Sequence, residues 1–145
     1  QKPEELVRAV SDFVFHHIEN KSLDRGAASA LETLKSQKGD CTEHSILASA
    51  LLRSLGYPTR LVDGVVAFDR QLGYHEWVEV YIDGQGFVPL DPTFNEFPAG
   101  PNRLAFAIGD SSPEGMLKLG ITATQLLSGI KVSLKSFKKK KPTAK

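Results

Sequence analysis

The chain has 145 residues, 41% hydrophobic and 24% charged, which suits one globular domain with a core of its own. No apolar run approaches the roughly 18–20 residues of a membrane span. The single cysteine excludes an intrachain disulfide and a multi-cysteine zinc cage, and the net charge of +1 hides a mildly acidic body and a basic end.

The basic end is 135–145, with six lysines and no acid. Only Phe137 is interleaved as an aromatic, so residues 138–145 read as a solvated, disordered tail, and no nucleic acid is expected as a partner. Residues 1–137 read as the single domain. The first residue is Gln1 and the one methionine is Met116, so the sequence reads as a fragment or processed form whose export signal would lie upstream.

Leu6, Val10, Phe13, Val14, His17 and Ile18 recur near a 3.6-residue spacing, which predicts an amphipathic helix over 4–19. His16 and His17 within it are given no chemistry. A short helix is expected over Ala27 to Lys35, followed by the polar loop Ser36-Gln37-Lys38-Gly39. Asp40 and Glu43 have the spacing of a capping box, which puts Cys41 in the first turn of the next helix. Ile46, Leu47, Ala48, Ala50, Leu51, Leu52 and Leu55 make that helix apolar nearly all round, hence central and buried. Gly56 and Pro58 end it.

After Pro58 the period becomes two. Residues 59–62 and 65–68 read as strand with Gly64 as a bulge, and 69–73 as a turn. His75 to Ile82 alternates as a strand, Asp83-Gly84-Gln85-Gly86 as a turn, and Phe87 to Leu90 as a short strand stopped by Asp91-Pro92. A Pro/Gly/Asn loop covers 94–102, and another strand covers Arg103 to Ile108. A helix starts at Pro113 and reaches as far as Leu127, and a last strand is expected over Ile130 to Phe137. Helices first and hairpin-linked strands later predict an α+β fold with an antiparallel sheet.

Three places carry chemistry. Cys41 opens a helix, where free amides favour a negative charge and a thiol is expected to ionise more readily. His75 and Asp91 stand at the head of one strand and the tail of the next, so the hairpin between them can bring imidazole to carboxylate. A base that takes the thiol proton and an acid that orients the base are what a cysteine nucleophile needs. The backbone N–H of Cys41 is a natural oxyanion donor, and the Gln37 side chain is a candidate for a second. Trp77 shares the His75 face by alternation and reads as core or cleft wall, with a substrate contact as the other candidate role. His44, one turn after Cys41, is either a substrate contact or a buried structural histidine. Cys41, His44, His75 and Asp91 also have the ligand types of a zinc site, but this mixed set is less usual than cysteine-rich or histidine-rich cages. No metal and no cofactor is expected.

Four segments, Gly39–His44, Ala50–Arg60, His75–Tyr81 and Val88–Thr93, resemble the bacterial transglutaminase-like superfamily in order and spacing over roughly residues 27–108. Phe87 stands where that family often has tryptophan, and Tyr57 where it has isoleucine. The resemblance implies a papain-like core, with the Cys-bearing helix packed on the sheet, and a Cys41-His75-Asp91 triad. It implies acyl transfer from an amide through a thioester, ending in peptide or isopeptide hydrolysis or in transfer to an amine. The partner would be a protein or peptide, cell-wall peptide included, and the place extracytoplasmic, periplasmic or membrane-attached. No acidic loop of the Asp-x-Asp-x-Asp-Gly kind is present, so calcium activation is not expected. The alternative is a binding or scaffold module of a larger envelope protein that keeps the fold without the catalysis.

Overall fold

A computed structural model describes residues 2–22, 28–129, 131, 133, 135 and 136. The elements run α1 (Pro3–His17), α2 (Ala30–Ser36), α3 (Cys41–Ser54), β1 (Thr59–Phe68), β2 (Gln71–Ile82), β3 (Gly86–Leu90), β4 (Arg103–Gly109) and α4 (Pro113–Gly129). The strands form one antiparallel sheet in the order β3-β2-β1-β4. This is the expected α+β arrangement.

In α1 the buried face is Val7, Val10, Ser11 and Val14, followed by Ile18. Phe13, expected inward, is 46% exposed and stacks on His17 instead. Ser11 takes the inward position because its hydroxyl donates to Asn95 Oδ1 at 2.9 Å, which removes the penalty of burying it. Helix α2 starts later than expected. Ser29 caps it by accepting from the Glu32 amide, and Glu32 reaches back to the Ser29 amide, so the start is set by a Ser-x-x-Glu box. Ala27, where that helix was expected to begin, lies outside the described residues.

Helix α3 carries Ile46, Leu47, Ala48 and Leu52 into the core, where they meet Leu61, Val78, Val80, Ile82 and Leu90 of the sheet. The sheet is built from tight connections. Asp69 and Arg70 both have positive φ (45° and 65°), the two-residue turn whose twist matches antiparallel strands. The β1–β2 turn is therefore shorter than the expected 69–73, and β2 begins at Gln71. Gly64 is where the β1–β4 register slips, as its bulge reading anticipated. A side chain there would run into the Leu104 carbonyl and the Trp77 ring.

Helix α4 extends to Gly129. Lys131, Ser133, Lys135 and Ser136 show none of the strand expected over 130–137, and the other residues of that stretch, like the tail 138–145, lie outside the described residues.

Candidate active site

The start of α3 is built by local chemistry. Asp40 Oδ1 accepts from the Thr42 amide at 2.8 Å, and Glu43 Oε2 accepts from the Asp40 amide at 2.8 Å. The capping box is formed, and Cys41 is the first helical residue. Glu43 also accepts from the Ala28 amide at 3.0 Å, which ties the approach to α2 against the start of α3. Gly39 has to be glycine because a side chain there would collide with that of Glu43.

The thiol is partly buried, with the backbone amide of Glu76 against the sulfur. One turn further along α3, the Ser45 hydroxyl donates to the Glu76 carbonyl at 3.2 Å. These contacts dock the first turn of α3 on β2 at the residue next to His75. The sequence led us to expect a readily ionised thiol; the structure corrects this. Burial pushes the Cys41 thiol up to about 12, and the nearby Asp40 and Glu76 carboxyls push the same way. The Glu76 amide and the Thr42 side chain pull it back only in part. Desolvation and two acids outweigh the helix terminus.

His75 is 4% exposed and bonds through Nε2 to Asp91 Oδ2 at 2.7 Å. Its ring lies between Trp77 (centroids 6.3 Å, 22° between planes) and Phe94 (5.1 Å, 45°). Trp77 is therefore a buried wall that holds the imidazole. With Asp91 ionised, Nε2 carries the proton and donates it, which leaves Nδ1 as the basic nitrogen. Among the described residues, no hydrogen bond joins Cys41 to His75, and catalytic hydrogen bonds often tighten only when substrate is bound.

Asp91 is fully buried and more heavily bonded than its sequence suggested. Oδ1 accepts from the amides of Thr93 (3.1 Å) and Phe94 (3.4 Å), while Oδ2 accepts from His75 and from Arg103 Nε (3.0 Å) and Nη2 (2.6 Å). Burial acts to raise the Asp91 pKa, but the hydrogen bond and charge of His75, together with Arg103, hold it below the usual carboxylate range. Arg103 also reaches Glu96 Oε2 at 2.9 Å, the Gly100 carbonyl and the Asn102 side chain. Sequence reasoning placed Arg103 at a strand start and gave it no role. Its local sequence carried no signal for this: in β4 only Ala107 is buried, while Leu104 and Ile108 are exposed.

The other sequence candidates fall as follows. Gln37 is exposed and takes a left-handed φ of 55° at the end of α2. His44 is fully buried, its Nδ1 donating to the Asp40 carbonyl at 2.6 Å, while Nε2 has no partner. Burial lowers the His44 pKa, so it is a neutral structural ring. Among the described residues, no group of three or more His, Cys, Asp or Glu side chains is arranged to hold a metal ion.

Residues 1–92 match the sequence profile of the transglutaminase-like superfamily, ending just past Asp91. The chain belongs to that superfamily. The matched stretch takes in α1, which the resemblance read from motifs left out, and stops before Arg103. No curated protein matches the chain. Three solved structures are similar to this transglutaminase-like chain. One is a candidate cysteine protease from Cytophaga hutchinsonii, 28% identical over 71% of the chain, with a TM-score of 0.59. Another is the periplasmic domain of TgpA from Pseudomonas aeruginosa, bound to ethylmercury, 25% identical over 67%, with a TM-score of 0.55. The third is calcium-bound LapG from Legionella pneumophila, 18% identical over 77%, with a TM-score of 0.60, a likeness of fold alone. The chain spans 35% and 40% of the first two structures and 67% of the third. The fold is thus that of transglutaminase-like cysteine enzymes. No helix among the described residues is long and apolar enough to cross a membrane.

Proposed function

We propose that this domain catalyses acyl transfer from a peptide or isopeptide amide through a thioester on Cys41, with His75 as base and acid and Asp91 as orienter. The observation that carries this reading is the buried His75–Asp91 bond of 2.7 Å, one residue along β2 from the contact that seats the Cys41 thiol. The bond takes up Nε2 and turns the basic Nδ1 into the only ring position left for a thiol proton.

A thiol pushed up to about 12 rests in its neutral form. Attack therefore proceeds with proton transfer. Sγ forms a bond to the amide carbon while its proton passes to His75 Nδ1, and the carbonyl becomes an oxyanion. The proposed donors to that oxygen are the Cys41 amide, at the helix start, and the Gln37 side chain. The C–N bond then breaks as the imidazolium protonates the departing amine. Water or a second amine attacks the thioester, its proton passes to His75, and Cys41 leaves as the thiol. Hydrolysis and cross-linking share every step up to the last. The substrate we infer is protein or peptide, cell-wall peptide included. An extracytoplasmic place is supported by the periplasmic domain of TgpA among the similar structures.

The test is acid quenching after incubation with peptide and cell-wall substrates, followed by mass spectrometry of the Cys41 peptide. An acyl adduct that is lost in Cys41→Ala and released by hydroxylamine is expected. Turnover that survives Cys41→Ala, or a Cys41 that acquires no adduct with any substrate, overturns the proposal. The second reading is a binding module without turnover, and peptide binding by a Cys41 that forms no adduct is the result that would support it.

A further inference from the structure

Strands β1 and β2 set Asp63 directly opposite Glu76. Each residue is only 2% exposed. Each also leaves one carboxyl oxygen buried without a partner, Oδ1 of Asp63 and Oε1 of Glu76. Two ionised carboxylates side by side out of water would suffer both desolvation and mutual repulsion. One proton held between them removes the repulsion and leaves one buried charge instead of two, because it converts one of the two acceptors into a donor.

The neighbours reinforce this. On β2, the Tyr74 side chain and the His75 imidazole favour the ionised form of Asp63, although burial raises its carboxyl above the usual range. From the capped start of α3, Asp40 and Glu43 both oppose a charge on Glu76, and the Cys41 sulfur lies within its field. Across β4, the partner of Asp63 is Ala107, which carries no charge. Burial first, then Asp63, Asp40 and Glu43, pushes Glu76 up to about 10. The proton therefore rests mainly on Glu76 and the charge on Asp63, whose ionised form Tyr74 and His75 favour.

We propose that Asp63 and Glu76 are positioning residues for the Cys41 chemistry, sharing one proton across β1 and β2 and holding the charge beside the sulfur at one unit. When alkali removes that proton to solvent, the pair passes from one negative charge to two. The second charge then opposes thiolate formation at Cys41. The effect on acyl transfer rests on the reading of Cys41 as nucleophile; the shared proton does not.

Two measurements on the whole chain test the pair. In infrared difference spectra of wild type against Glu76→Gln at neutral pH, a protonated carboxylic acid band is expected in the wild type only. In the wild type alone it should fade as the pH approaches about 10. In Asp63→Asn it should fade at lower pH, because the repelling charge is gone. Absence of a protonated carboxyl band from the wild type at neutral pH overturns the proposal, whether or not the variants fold. The second measurement is the rate of Cys41 alkylation by iodoacetamide against pH. Glu76→Gln is expected to match wild type at neutral pH and to react at least about threefold faster at alkaline pH, since one fewer charge faces the sulfur. Superposable profiles in folded protein overturn the positioning role. Neither measurement needs turnover, so a missing acyl adduct would sink the catalytic reading and leave the shared proton and its effect on the Cys41 thiol standing.

Discussion

Arg103 grips the same carboxylate oxygen of Asp91 that His75 uses, at 2.6 Å through Nη2 and 3.0 Å through Nε. Both side chains are nearly sealed from water. Arginine is always charged, so Asp91 is an ion-paired carboxylate before it meets the imidazole. It therefore orients the ring firmly and stabilises an imidazolium less than an unpaired acid would.

Arg103→Met should remove that grip and leave Asp91 buried with an uncompensated charge. A loss of about 3–5 kcal/mol of stability is expected for one partner removed from a buried pair. Urea denaturation at neutral pH measures it. Arg103→Lys should recover only part, because it keeps the charge but not the forked geometry. A variant as stable as wild type would show that Asp91 needs no counter-ion.

Asp91 has a lower pKa folded than unfolded, so the folded state holds the fewer protons. Its contribution to stability is in place above about pH 4, the unfolded value, and fades as the pH falls through the lower folded value. Asp91→Asn should flatten this acid limb in denaturation midpoints taken across pH. The same variant should misplace the His75 tautomer and cut kcat by up to roughly 10⁴-fold, measured under conditions where circular dichroism shows it folded, since Arg103 loses its buried partner as well.

Glu76 has the opposite sign. Its carboxyl is raised from 4.5 to about 10, so between those values the folded chain holds a proton that the unfolded chain has lost. Stability from this group falls as the pH rises through that window. Glu76→Gln should raise the thermal midpoint relative to wild type more at alkaline than at acid pH. A uniform shift at every pH would assign its effect to packing alone.

Burial holds the Cys41 thiol near 12, so iodoacetamide should label it slowly at neutral pH and faster as the pH rises. Thr42→Val should slow it further by removing a side-chain contact that favours the thiolate. Rapid labelling at mildly acid pH would mean a preformed thiolate–imidazolium pair and would contradict the neutral resting state.

Gly39→Ala should force Glu43 out of its cap on Asp40 and Ala28, because the added methyl meets the Glu43 side chain. A cost of about 1–3 kcal/mol is expected for overpacking of this kind. Loss of acyl-adduct formation should accompany it, since Glu43 helps to fix the turn that carries Cys41.

The sequence by itself determined the order of most elements and the start of α3, but not the start of α2, the tight turn at Asp69-Arg70 or the end of the chain after α4. Asp40-x-x-Glu43, Gly56-x-Pro58, the Asp83–Gly86 turn and the alternation of β2 act over a few residues, so their chemistry is written locally. It also named Cys41, His75 and Asp91, since those residue types at a helix start and along one hairpin suit one reaction, although His75 lies inside β2 and not at its head. Tertiary structure alone turned Phe13 outward and Ser11 inward, for that choice depends on Asn95 across the chain. It alone brought Arg103 to Asp91 and set Asp63 against Glu76. It also reversed the expectation for the thiol. Helix-end polarity is a local property, but desolvation depends on everything packed around a group, and here burial outweighs the helix end.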